Sequence, residues 1–370
     1  MSITAAGSTA TAGTATAEMT ALFMEAPGKV VPRRLPVPSA RPGHAVVAVR
    51  YLGLCATDLG FYDGSSNYLH DGQKSFPFVF GHEWSGQVVA VGEPSGTGGG
   101  AAGASGAVTV RVGDRVAGHN FRPCGTCDIC LRGLSMHCPD RSEIGVLGPA
   151  PGAAAEYVEV PVDTVTVIPG GISDRAATLL EPCSAALHAV NRIGICAEDR
   201  VAVLGGGTLG LAAAQIARAR GAEVHLLDPG VHPRALAAEL GLEHAMDPSA
   251  ARHGHYTAVI EASGAEAAIR LAPLLCTPGA RIAQLGTPHE PVDGFPTAVL
   301  VINNVVLHAV LSGVDQWAGL VELVESGALR LEPLIDRVVP VDDIDKAFAA
   351  LAEGGRRRPK VLVQLSKGEK

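Results

Sequence analysis

Residues 201–228 read VAVLGGGTLGLAAAQIARARGAEVHLLD. An apolar run from Val201 to Leu204 enters Gly205, Gly207 and Gly210 in G-x-G-x-x-G spacing, an Ala-rich stretch follows, and a second apolar run ends at Asp228. A glycine triplet alone is weak evidence. Set between a strand and a helix, with a second strand closing on an acid 18 residues after the last glycine, it is the fingerprint of a dinucleotide-binding βαβ unit. The spacing assigns Gly205 to the tight turn, Gly207 to close approach of backbone to a pyrophosphate, and Gly210 to tight packing of helix on strand. Thr208 and Leu209 open the helix and join the candidate cofactor-binding residues, as do Asp228 and Arg234. A carboxylate at Asp228 would accept from the adenosine ribose hydroxyls, whereas a 2′-phosphate there would meet like charge at a cost on the order of a few kcal/mol. Pro229 and Gly230 follow, with no basic residue until His232 and Arg234, so the expected cofactor is NAD.

Outward from this unit the texture divides the chain. At 370 residues it exceeds the size at which a single core stops growing, and two domains are expected. Downstream, "YTAVIEAS", "ARIAQLG" and "NVVLHAVLS" read as further strands of a doubly wound parallel sheet, so the fold class is α/β. Upstream, "HAVVAVRYLGLC", "EWSGQVVAVG", "VRVGDRVAG" and "AAEYVEVPVDTVTVIP" are short β-rich runs punctuated by Gly, Pro and Asp, the pattern of an irregular barrel. The expected organisation is a disordered leader over residues 1–18, a barrel domain over 19–173 with a flexible Gly/Ala insertion at 92–110, a nucleotide domain over 174–313, and a return to the barrel over 314–370. The leader has no basic start or apolar block, and no apolar run reaches the roughly 20 residues that cross a bilayer. A cytoplasmic protein without membrane partners is expected.

Four of the eight cysteines fall in "CGTCDICLRGLSMHC", residues 124–138. Disulfide-dense scaffolds belong to small secreted domains, so in a reduced compartment Cys124, Cys127, Cys130 and Cys138 point to a metal. Thiolate softness makes a closed, structural zinc the default, with an iron–sulfur cluster as the rival. A zinc ribbon that binds nucleic acid is the other rival. With 29 basic against 37 acidic residues and a net charge of −8, the chain lacks the basic stripe that phosphates require, and no nucleic-acid partner is expected. Cys183, Cys196 and Cys276 have no partner motif and read as packing residues.

Three more fragments complete the pattern: "GLCATD" with Cys55, Thr57 and Asp58, "GHEWSG" with His82 and Glu83, and "EPCSAALH" with Glu181. In this order, with the cysteine loop and the nucleotide fingerprint, they resemble the zinc-dependent medium-chain dehydrogenases, the alcohol and polyol dehydrogenase superfamily. The resemblance runs from Met19 to about Leu365. It implies a GroES-like catalytic barrel joined to a Rossmann domain, two zinc ions per chain, and a homo-oligomer, dimer or tetramer. The four-cysteine loop would hold the structural zinc. Cys55, His82 and Glu181 would hold the catalytic one, with Glu83 as a second oxygen ligand in reach. An acid at 181 follows the polyol enzymes, where ethanol-type relatives carry a second cysteine. Thr57 would hydrogen-bond the substrate hydroxyl and pass its proton on, and Asp58 would orient the histidine. Many relatives place a histidine three residues after that threonine; here the position is Gly60, which leaves the proton exit unassigned. Phe61, Tyr62 and Trp84 flank the ligands and belong either to the pocket wall or to the core.

The chemistry demands these residue types on its own account. Taking hydride from a secondary alcohol requires an alkoxide-like oxygen, which a zinc with three protein ligands and one open position promotes. The expected activity is NAD-dependent oxidation of a secondary alcohol, a polyol, cyclitol or aminocyclitol, to a ketone. The "DLGFYDG" and "GHEWSG" runs are similar to aminocyclitol dehydrogenases of antibiotic biosynthesis. A sorbitol- or threonine-type dehydrogenase of primary metabolism is the alternative.

Overall fold

The computed structural model describes residues 17–94, 109–288 and 290–366. Most of the expected leader and most of the expected insertion lie outside these residues. Glu18, assigned to the leader, already begins the first strand.

The first strands build a barrel. β1 (Glu18–Ala26) and β2 (Lys29–Pro36) pair antiparallel around Gly28, whose φ of +71° suits the tight turn. β3 (His44–Leu54) is the longest strand, and β4 (Phe78–Val79) pairs with β1. β5 (Glu83–Val91) runs antiparallel to β3, and β6 (Arg115–Gly118) to β5. β7 (Phe121–Arg122) and β8 (Ser142–Glu143) pair across the base of the cysteine loop. β9 (Tyr157–Pro161) pairs with β3, and β10 (Val165–Val167) with β6. Alternate side chains of β9, Val158 and Val160, are buried, as period-2 patterning requires. Phe61 and Trp84 are fully buried and the Tyr62 ring stacks on Phe348 at 4.1 Å, so of the two roles open to these aromatics the structure assigns core.

The second half is the parallel sheet: β11 (Arg200–Leu204), β12 (Glu223–Leu227), β13 (His244–Met246), β14 (Tyr256–Glu261), β15 (Cys276–Gln284) and β16 (Val306–Ala309). Their order is β13-β12-β11-β14-β15-β16, the doubly wound arrangement in which a ligand crevice opens at the carboxyl ends of the strands where the order reverses. Continuous apolar burial along β11, whose Val201 to Leu204 are buried, reflects helices on both faces. The helix Thr208–Ala219 puts Leu211, Ala212 and Ile216 into one face with no exposed area, each large side chain stabilising by roughly 1.5–3 kcal/mol.

The junction differs from expectation at both ends. Asp174, the first residue assigned to the nucleotide domain, is held by the barrel through Arg50 at 2.6 Å and Arg115 at 2.7 Å. At the other end Trp317, Leu320, Leu329 and Leu334 pack into the core that covers the parallel sheet. The chain re-enters the barrel sheet at β17 (Ile335–Pro340), not at residue 314, and β18 (Lys360–Gln364) then lies antiparallel to β3. The helix "DQWAGLVELVESGAL" belongs with the sheet because its apolar face has the helix Leu180–Arg192 to cover. Cys183 and Cys276 are buried as expected; Cys196 is exposed, because its loop leaves the core before β11 begins.

Candidate active site and metal centres

The end of β3 delivers Cys55 in extended geometry, φ −130° and ψ −179°, as the residue that caps the helix Ala56–Asp63. Its N–H donates to Asp58 Oδ2 at 3.1 Å, which satisfies a free amide at the helix start and fixes the carboxylate. The second oxygen, Oδ1, then faces His82 Nδ1 at 3.8 Å. Both atoms are buried without a hydrogen-bond partner among the described residues. On its other side the imidazole brings Nε2 to within 3.3 Å of Cys55 Sγ. The thiol and the ring nitrogen therefore converge on one point, with the Asp58 carboxylate behind the ring.

His82 precedes β5, and Glu83 begins it opposite Gly53 of β3. Any side chain at 53 would overlap the Glu83 carboxylate. Glu181 comes from the first turn of the helix Leu180–Arg192, and one ligand atom each from His82, Glu83 and Glu181 lie within 4.8 Å of one another. Cys55, Asp58 and His82 form a second such group, so His82 is common to both. Burial pushes the Cys55 thiol up and raises the Glu181 carboxyl to about 7. Burial opposes a charged His82, but Cys55, Asp58 and Glu181 around it outweigh that effect and lift it. Acids that resist ionisation around a ring drawn toward positive charge are what a site shaped for a cation presents. A thiol on one side of His82 and a carboxyl on the other give Cys55, His82 and Glu181 the donor chemistry that suits zinc.

Glu83 is placed differently from the other candidates. Both its oxygens accept from Lys360 Nζ, at 2.9 and 2.6 Å, and that amine also donates to Leu54 O at 3.2 Å. Lys360 stands between Arg356, Arg357, Arg358 and Pro359 on one side and the apolar run "VLVQL" on the other, where the sequence gives no sign that it is the buried cation of the group. Thr57 is half-buried in the first turn of the helix that Cys55 caps, its hydroxyl unbonded among the described residues.

In the cysteine loop Cys127 Sγ lies 3.5 Å from Cys130 Sγ and 3.9 Å from Cys138 Sγ, and Cys124 Sγ lies 3.9 Å from Cys130 Sγ. No disulfide joins them. Four sulfurs each 2.3 Å from one tetrahedral ion stand about 3.8 Å apart, so the donor set fits a single zinc, and a multi-iron cluster would hold them wider. Backbone N–H groups of Thr126 and Cys127 hold the Cys124 thiol down to about 6. Burial, with the Cys127 thiol beside it, pushes Cys130 up to about 12.

At the nucleotide loop Gly205 has φ +101°, and a side chain at Gly210 would overlap Gly205 O. Space above Gly207, which caps the helix, is open, as backbone approach to a phosphate requires. Gly206, which the spacing rule passed over, is equally constrained: a Cβ there would lie 2.5 Å from Pro233 Cβ. Asp228 accepts from Gly206 N at 2.6 Å and Gly230 N at 2.7 Å, so the acid also shapes the loop. Arg234 Nη1 donates to the Asp228 and Pro229 carbonyls at 2.6 and 2.8 Å, bracing the turn from behind.

A family model described as an alcohol dehydrogenase GroES-like domain matches residues 41–170, and one described as a zinc-binding dehydrogenase matches residues 208–326. The chain belongs to the zinc-dependent medium-chain alcohol dehydrogenase family. Among its curated relatives, an L-threonine 3-dehydrogenase of Bacillus licheniformis is 28% identical over 86% of this chain and 91% of its own length. A 2-dehydro-3-deoxy-L-galactonate 5-dehydrogenase of Pseudoalteromonas atlantica is 30% identical, covering 88% of this chain and 92% of itself. Similar solved structures include a Sinorhizobium meliloti protein described as a zinc-binding dehydrogenase and bound to NADP, with TM-score 0.83, 27% identity, and coverage of 94% of this chain and all of that one. Galactitol-1-phosphate dehydrogenase from Escherichia coli superposes with TM-score 0.81 at 25% identity and the same coverage.

Proposed function

We propose that this oxidoreductase converts a secondary alcohol of a polyol, cyclitol or aminocyclitol to a ketone, with NAD as the acceptor. The observation that carries this reading is the convergence of Cys55 Sγ and His82 Nε2, with Glu181 at the same histidine, in a chain that also builds a dinucleotide loop. Bound there, zinc supplies a Lewis acid that makes a substrate hydroxyl easier to deprotonate. Cys55, His82 and Glu181 would hold it, while Lys360 engages Glu83. Asp58 holds the His82 ring in register from its Nδ1 side. Thr57 would accept the substrate hydroxyl proton at Oγ1 while its own hydroxyl proton passes outward, so that it ends neutral. With Gly60 where relatives carry a histidine, that proton leaves by water.

A hydroxyl-rich substrate is favoured by unsatisfied polar groups after β6. His119 and Asn120 directly follow β6, which pairs with β5, the strand that begins one residue after His82. Asn120 Oδ1 and His119 Nδ1 are buried and unpartnered among the described residues, which is costly unless a ligand supplies donors. Burial lowers the His119 imidazole to about 4, so it stays neutral. NAD is favoured by the Asp228 carboxylate at the end of β12. A threonine-type activity is the second reading, favoured by the curated relatives.

No helix among the described residues is long and apolar enough to cross a membrane. A homo-oligomer is favoured by β16, an edge strand among the described residues with exposed Val306 and Leu307, and by the helix Thr297–Ile302 before it, whose Val301 and Ile302 are 81% and 80% exposed; a second copy would cover this edge.

Initial rates of NAD and NADP reduction with polyols, cyclitols, amino alcohols, L-threonine and simple alcohols test the reading. The highest kcat/KM is expected for a polyhydroxylated substrate with NAD. Preference for L-threonine would install the second reading, and inactivity toward every alcohol would remove both.

A further inference from the structure

A third cluster of metal-binding side chains lies toward the amino ends of β12 and β13, the end of the sheet opposite Asp228. His225 and His244 are direct partners across this ladder, and Glu223, two residues before His225, points from the same face. One ligand atom from each of Glu223, His225 and His244 lie within 4.8 Å of one another, and the two rings are 4.8 Å apart between centroids. His225 Nε2 faces Glu223 Oε1 at 3.0 Å, and its Nδ1 meets the hydroxyl of buried Tyr256 at 2.9 Å. The ring of His255 lies 6.3 Å from that of His225.

We propose that Glu223, His225 and His244 form a third metal site, which takes a divalent transition ion such as Zn²⁺, Ni²⁺ or Cu²⁺. Two imidazoles and one carboxylate suit these borderline ions, whereas Mg²⁺ and Ca²⁺ need more oxygen ligands than the cluster offers. Tyr256 can serve His225 as an outer partner: without an ion Nε2–H donates to Glu223 and Nδ1 faces the Tyr256 hydroxyl, and with an ion on Nε2 the proton would sit on Nδ1 and be accepted by Tyr256. A surface ion pair accounts for Glu223 with His225. It does not account for a second, exposed imidazole placed in register on the open side of the same ring. The site is remote from the nucleotide loop, since β12 carries Asp228 beyond its other end, so dehydrogenase activity is not the readout.

The test is Ni²⁺ titration by equilibrium dialysis of the tag-free, zinc-loaded protein. The wild type is expected to bind one equivalent more than the His244→Ala variant, whose exposed position makes loss of folding a negligible complication. His225→Gln should weaken that equivalent at least about tenfold and Tyr256→Phe to a smaller degree, with unchanged circular dichroism. Cu²⁺ in the wild type should show nitrogen hyperfine coupling that His244→Ala alters. Equal Ni²⁺ binding by wild type and His244→Ala at saturation would overturn the proposal.

Discussion

Lys360 Nζ donates to both carboxylate oxygens of Glu83, at 2.9 and 2.6 Å, with 4% and 2% of the two side chains exposed. This contact ties β18, the last strand among the described residues, to the residue that follows His82. Burial works against a charged Lys360, but Glu83 more than compensates and raises its affinity for the proton. Removing one member of a buried pair strands the other's charge. Lys360→Met is therefore expected to lower unfolding free energy by about 3–5 kcal/mol, measured by urea denaturation, while Glu83→Gln should cost less because an amide still accepts from Lys360. Equal stability of Lys360→Met and wild type would show that the pair is not a closed buried contact.

Cys130 is buried in the middle of the sulfur cluster. Cys130→Ser should lower zinc content and the thermal midpoint together, because metal binding there is part of folding free energy. Differential scanning calorimetry with metal analysis checks this. An unchanged midpoint with lost zinc would separate the lobe from folding.

Thr57→Val keeps side-chain shape and removes the hydroxyl assigned to the substrate proton. Turnover should fall by roughly 100-fold or more, with zinc content and NAD binding unaltered. Near-normal kcat with full zinc occupancy would mean that the proton takes another route.

Asp228 shapes the glycine loop through Gly206 and Gly230 and, in the proposed reading, accepts from the ribose hydroxyls. Asp228→Ala should raise KM for NAD and narrow its advantage over NADP, read as a ratio of kcat/KM values. A wild type that prefers NADP would contradict the assignment.

The two-domain plan was legible because each half repeats a period: alternation along β9, and glycine-punctuated βαβ units from β11 onward. The nucleotide loop could be read to single residues, since Gly205 and Gly210 answer steric demands that a sequence displays directly. Boundaries were less legible. Nothing in "DQWAGLVELVESGAL" says which sheet its apolar face will cover, and nothing in Asp174 announces that Arg50 and Arg115 hold it to the barrel. The relation of Glu83 to Lys360, 277 residues apart, and the pairing of His225 with His244 across a ladder are products of strand register, which no local pattern encodes.

The central claim is that two donor sets hold two zinc ions with different work. Zinc per chain, counted by plasma emission spectrometry in wild type, Cys55→Ala and Cys130→Ala, tests it most directly. The account predicts two, one and one, with Cys55→Ala folded but devoid of alcohol-dependent NADH formation. A single zinc in the wild type, or two zincs retained in Cys55→Ala, would contradict it.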